Sequence, residues 1–188
     1  MDFGQLLETT DATGRGFRVN PPDDWRQGRT LYGGLALARA AEAAPPPAVA
    51  PPEACPTLFE TAAHPAFSHH FALRRAGSNR LLSGATEGDL LVWVRHAVDV
   101  PGSTAALLLL ADGLPPASYV RLTAPAAIST VTWSFELFAP ERHRGAGWHL
   151  LRATADGVGD GYAGQWMAMW DADGRPVLRG RQSVALFA

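Results

Sequence analysis

A short helix that is apolar on nearly every side is the strongest constraint in this chain. Residues 105–112 read Ala105-Ala-Leu-Leu-Leu-Leu-Ala-Asp112, and Gly113-Leu-Pro-Pro116 stops them. Ser103 stands at the N-cap position. A helix with no polar stripe is expected to be buried all round. Strand-like segments lie on both sides of it. Residues 67–73 would place Phe67, His69, Phe71 and Leu73 on one face, and 89–96 is rich in β-formers. After the helix come segments at 128–138, 148–155, 162–170 and 177–187. Asp171-Ala-Asp-Gly174 predicts a hairpin turn between the last two, and the Gly-rich stretch 157–161 reads as a hairpin loop, not a phosphate cradle. Strands gathered around one apolar helix predict an α+β fold, an antiparallel sheet curved about a central helix.

The region before this core has a different character. Residues 16–20 form a short strand pattern, and Tyr32-Gly-Gly34 leads into 35–44, a run of strong helix formers. Gly33 and Gly34 would let a backbone or a ligand come close to the start of that helix, so Tyr32, Gly33 and Gly34 are candidate substrate contacts. Tight helix-on-sheet packing is the first reading of the glycines, and a lone Gly pair at a helix start is a weak ligand signal. Seven of the 15 prolines fall between Pro45 and Pro65. That density predicts an extended, semi-rigid linker holding Cys55 as a spacer thiol. The expected division is 1–60, a partial strand-and-helix module with its linker, and 61–188, a complete module.

Composition removes several function classes. A net charge of −2 and a pI near 6.3 give no electrostatic case for nucleic acid. No apolar run approaches the roughly 20 residues that span a bilayer, and the acidic N-terminus lacks a secretory n-region. The single cysteine excludes an internal disulfide. A cytoplasmic protein is the expectation. His69 and His70 would face opposite sides of a strand, and His96, His143 and His149 have no ligand spacing, so no metal site is expected. No serine sits in a Gly-x-Ser-x-Gly context.

Three polar residues resist a purely structural reading. Asp112 ends the helix, where the macrodipole disfavours its charge, in apolar surroundings that should raise its pKa toward that of a useful base. It could also simply cap the following turn. Alternation in the last segment puts Gln182 in line with Leu178, Val184 and Leu186, where an amide must find partners; a structural hydrogen bond to a neighbouring strand is the other reading. Alternation in 128–138 puts Val131, Trp133, Phe135 and Leu137 on one face and Thr130 on the polar one. Together the three form a set: a carboxylate to take a proton, and a hydroxyl and an amide to orient a water.

The chain resembles the thioesterase-like superfamily of double hot-dog proteins, related to type II and peroxisomal acyl-CoA thioesterases. The resemblance rests on Leu31-Tyr-Gly-Gly-Leu-Ala-Leu-Ala38, Leu91-Val-Trp-Val-Arg-His96, Leu110-Ala-Asp-Gly-Leu-Pro-Pro116, Ser129-Thr-Val-Thr-Trp-Ser-Phe-Glu-Leu-Phe138 and Gly180-Arg-Gln-Ser-Val-Ala185. It implies a hot-dog fold and catalytic roles at Asp112, Thr130 and Gln182. The first module departs from the family pattern, showing only a strand and a helix before the proline-rich linker, so it is either truncated or completed by a sheet from another chain. The expected activity is hydrolysis of a fatty acyl-CoA thioester with no metal or redox cofactor. The oxyanion would be held by backbone N–H groups, either near Tyr32-Gly-Gly34 or in the second module. A non-catalytic module that binds acyl chains or serves assembly is the alternative. Hot-dog dehydratase chemistry is weaker, because no positioned His–Asp motif is evident. An incomplete first module would leave open strand edges, so a homodimer is expected.

Overall fold

A computed structural model describes residues 45–59, 64–138 and 147–187, together with the backbone of 10–13, 16–19, 26–27 and 30–31. The predicted helix at 35–44, the candidate contacts Tyr32, Gly33 and Gly34, and His143 lie outside the described residues. The chain divides into two compact units, Met1–Pro45 and Pro46–Ala188. In the first, β1 (Thr10–Thr13) pairs antiparallel with β2 (Gly16–Val19), the strand expected at 16–20, and β3 (Arg26–Gln27) pairs with β4 (Thr30–Leu31).

The second unit is one antiparallel sheet and one helix. Its strands are β5 (Phe71–Arg75), β6 (Asp89–His96), β7 (Ala127–Leu137), β8 (His149–Gly159), β9 (Tyr162–Trp170) and β10 (Pro176–Phe187), in the order β5-β6-β8-β9-β10-β7. The helix α1 (Thr104–Ala111) falls between β6 and β7 in the chain. The connection through α1 therefore carries the chain from one side of the sheet to its far edge, and β8 returns beside β6. This is the hot-dog layout, and the sheet stays open. The turns follow their residue types. Asp171 to Gly174 makes the β9–β10 hairpin, with Gly174 at φ +78. Asp160 and Gly161 both take positive φ, 51 and 77, in the two-residue turn between β8 and β9.

The core forms where α1 meets the sheet. Leu107, Leu110 and Ala111 are fully buried against Val92, Val94, Leu151, Met169 and Leu178. Burying each leucine contributes roughly 1.5–3 kcal/mol. Ser103 caps the helix by accepting from Ala106 N at 3.1 Å. Burial all round does not hold, however. Leu109 is 59% exposed, because an open sheet covers only one flank of the helix.

Two further expectations are corrected. Residues 67–73 are not one strand: Ala66–His70 winds into a 3-10 turn, which carries His69 and His70, and only then does β5 begin. The proline-rich segment is not a spacer. It packs across the sheet face opposite the helix, where Val49 joins Leu91, Leu150, Ala168 and Trp170, and Trp93 Nε1 donates to Ala50 O at 2.9 Å. Cys55 is buried there. Residues 56–58 then bond to β5, through Arg75 N to Pro56 O at 2.8 Å and Leu58 N to Leu73 O at 3.1 Å. The β5 edge is thereby covered. The outer edge of β7 has no partner strand among the described residues.

Candidate functional site

Asp112 is the C-cap of α1, with φ −93 and ψ 3, and its backbone N–H still closes the last helical turn on Leu108 O at 3.0 Å. Gly113 and the prolines that follow cannot continue the helix, so the carboxylate is delivered at its end. Gln182 lies in the middle of β10 and is 5% exposed. It faces inward because the alternation Leu178, Gly180, Gln182, Val184 follows the pleat.

Thr130 reaches the same place by a different device. Strict alternation would put it on the face opposite Trp133. On β10 the partners run Gln182 with Trp133, Ser183 with Thr132, and then Val184 with Thr130. Val131 is therefore an extra residue, a β-bulge, and it turns outward with 55% of its surface exposed. The bulge inverts the phase of β7 and brings Thr130 onto the inner face beside Gln182.

The three side chains meet through the amide of Gln182. Its Nε2 donates to Asp112 Oδ1 at 3.1 Å and to Thr130 Oγ1 at 3.0 Å. Each of the two N–H hydrogens thus has one acceptor. Asp112 is open toward a neighbouring cleft, yet protein atoms crowd its carboxyl enough to hold the pKa above the ordinary aspartate value. The N–H of Gln182 pulls the other way and offsets part of the rise.

One residue of the site was not singled out in the sequence. Gln165 on β9 lies directly opposite Gln182 and is 3% exposed. Its Nε2 donates to Gln182 Oε1 at 2.6 Å, and its Oε1 accepts from Ala117 N at 2.7 Å. The signal was available: Gln165 alternates with Ala163, Met167 and Met169 on an apolar face, the pattern that marked Gln182.

Beside Asp112 opens a cleft of about 710 Å³. Its walls are mainly apolar and include Phe67, Phe71, Val98, Val100 and Leu109. The exposed flank of α1 forms part of the wall. His70 and His96 also border it, and His96 Nε2 lies 3.0 Å from Ala106 O. An apolar cleft ending at a carboxylate suits an amphipathic substrate whose reactive carbon lies where the chain ends.

The model of the family described as the acyl-CoA thioesterase C-terminal domain matches residues 35–186. Among solved structures, a conserved protein of unknown function with hot dog fold from Alicyclobacillus acidocaldarius is similar, with a TM-score of 0.68 and 24% identity over 92% of this chain and 61% of that one. An acyl-CoA thioesterase II from Mycobacterium marinum is similar with a TM-score of 0.58 and 15% identity over 90% of this chain and 60% of that one. At such identities the likeness establishes the fold alone. The chain spans about three-fifths of the length of these two structures. No curated protein matches the sequence.

Proposed function

Because the chain belongs to the family of acyl-CoA thioesterase C-terminal domains, we propose that it hydrolyses an acyl-CoA-type thioester with a water activated by Asp112. The observation that carries this reading is the double donation from Gln182 to Asp112 Oδ1 and Thr130 Oγ1. Thr130 accepts in that bond, so its own O–H proton is left to hold the attacking water. Asp112 presents its second carboxylate oxygen as the base. A carboxyl with a raised pKa is a better base than an ordinary one near neutrality.

The reaction then balances without a covalent enzyme intermediate. The water oxygen bonds to the thioester carbonyl carbon, its proton passes to Asp112, and the carbonyl pair moves onto oxygen. Collapse of that oxyanion breaks the carbon–sulfur bond, and the sulfur takes the pair and the proton held by Asp112. A carboxylic acid and a free thiol leave. The acyl chain occupies the cleft lined by Phe67, Val98, Val100 and Leu109. The test is thiol release from medium-chain acyl-CoA. Asp112→Asn should abolish it while leaving the fold intact, and unchanged turnover would remove the assigned base.

The β7 edge supports a further part of the proposal, a homodimer. Ile128, Val131 and Phe135 are exposed on this strand, and its outer edge has no partner among the described residues. Unpaired strand edges recruit strands. A second copy is the occupant we propose; a monodisperse monomer by light scattering would exclude it. An assembly or acyl-binding module without catalysis is the second reading, favoured by the mainly apolar cleft beside Asp112, which would hold an acyl chain whether or not hydrolysis follows. Acyl-CoA binding without thiol release would select it. No helix among the described residues is long and apolar enough to cross a membrane. With one cysteine in the sequence, a reducing compartment fits, and the cytoplasm is the one we propose.

A further inference from the structure

We infer that Gln165 is a positioning residue of this site, one that sets the direction in which the Gln182 amide faces. The inference rests on the hydrolytic reading above. A glutamine side chain has a donor end and an acceptor end of nearly the same shape, and either could face Asp112. The choice is made at the far end of a chain of hydrogen bonds. Ala117 follows two prolines and opens a 3-10 turn, so its backbone N–H has no carbonyl within that turn. An N–H can only donate, and it donates to Gln165 Oε1 at 2.7 Å. Gln165 must therefore present Nε2 to Gln182, which must accept with Oε1 at 2.6 Å. That leaves Gln182 Nε2 for Asp112 and Thr130.

The reverse orientation is excluded by two clashes of like with like. Flipping Gln182 alone would set its carbonyl oxygen against the Asp112 carboxylate and its NH₂ against the NH₂ of Gln165. The backbone N–H of Ala117 thus sets the polarity of a relay that ends on the base. Both glutamines are almost wholly buried, so water cannot substitute for a missing link at low cost. Without Gln165, Gln182 would be free to turn. Asp112 would then lose the donor that holds it ionised, and Thr130 would lose the bond that orients its hydroxyl.

Gln165→Met keeps the volume and removes both hydrogen bonds. It should lower kcat about fivefold to tenfold, the effect of one lost orienting hydrogen bond. KM should change little, and the acid limb of the pH profile should move to higher pH. Gln165→Glu covers the case in which the Met variant does not fold. A neutral carboxylic acid accepts from Ala117 N–H and donates its O–H to Gln182, whereas the ionised form cannot donate. Measured with thermal melts at every pH, this variant should keep near-wild-type turnover at low pH and lose it, while still folded, as its buried carboxyl ionises. Wild-type kcat and pH profile in folded Gln165→Met, with Asp112→Asn inactive, would overturn the relay and leave the hydrolytic reading standing. An active Asp112→Asn would overturn both.

Discussion

Thr130 and Val184 face each other across β7 and β10, one residue out of step with Thr132 and Ser183. That single offset places a hydroxyl next to Gln182. Thr130→Val keeps the shape of the side chain and deletes the acceptor for one N–H of Gln182. It should cost about 0.5–1.5 kcal/mol of stability, toward the low end because Thr130 itself is exposed, and should lower kcat tenfold or more. Thermal melts and thiol release measure the two effects separately. An unchanged kcat would remove Thr130 from the proposed mechanism.

The pH dependence of turnover follows from the carboxyl. Burial raises the pKa of Asp112 above 3.8, and the base works only when ionised. kcat/KM should therefore fall on the acid side through a midpoint above that value, about tenfold per pH unit below it. Gln182→Met removes the N–H that favours the ionised form, so its midpoint should move further up. A midpoint that stays in place, or falls, contradicts the hydrogen bond's assigned effect.

Stability should respond to the same group in the opposite sense. A carboxyl whose pKa is raised on folding gives a stability that is fully present below the unfolded value of 3.8 and is lost as pH rises through the folded midpoint. Its charge also meets the negative end of α1. Asp112→Asn should therefore be more stable than wild type at neutral pH by roughly 0.3–1 kcal/mol, screened by solvent on the open side of the residue. The difference should shrink as the pH falls toward 3.8 and vanish below it. Denaturant melts at two pH values check both the sign and the disappearance.

Adjacent leucines on α1 should behave differently. Leu110 is fully buried, and Leu110→Ala should cost about 2–5 kcal/mol. Leu109 is 59% exposed and lines the cleft. Leu109→Ala should change stability by no more than about 0.5 kcal/mol while shifting preference among acyl-CoA chain lengths. Equal destabilisation in the two variants would mean that the outer flank of the helix is not open.

Trp93→Phe tests the proline-rich cover. It removes the indole bond to Ala50 O but keeps most of the packing against Leu91 and Leu150. Proteolytic cutting within 45–56 should become faster while the sheet core stays resistant. Unchanged cutting would show that this bond does not hold the segment down.

Local chemistry alone was enough to read much of this molecule. Ser103 caps α1, Gly113 and its prolines end the helix, the Asp–Gly pairs turn the hairpins, and the pleat points Gln182 inward. Each depends on a few neighbouring residues, so the sequence by itself determined them. The tertiary structure decided the rest. The bulge at Val131 exists only relative to β10, because register belongs to two strands together and no alternation within one strand shows it. The open flank of α1 depends on a sheet that stops short of closing, and the docking of the proline-rich segment depends on an apolar face that strands β6, β8 and β9 assemble. Gln165 carries the same local mark as Gln182, but the direction of its amide is set by a backbone N–H 48 residues away in the chain. Directional bonds over that separation exist only after the fold has closed.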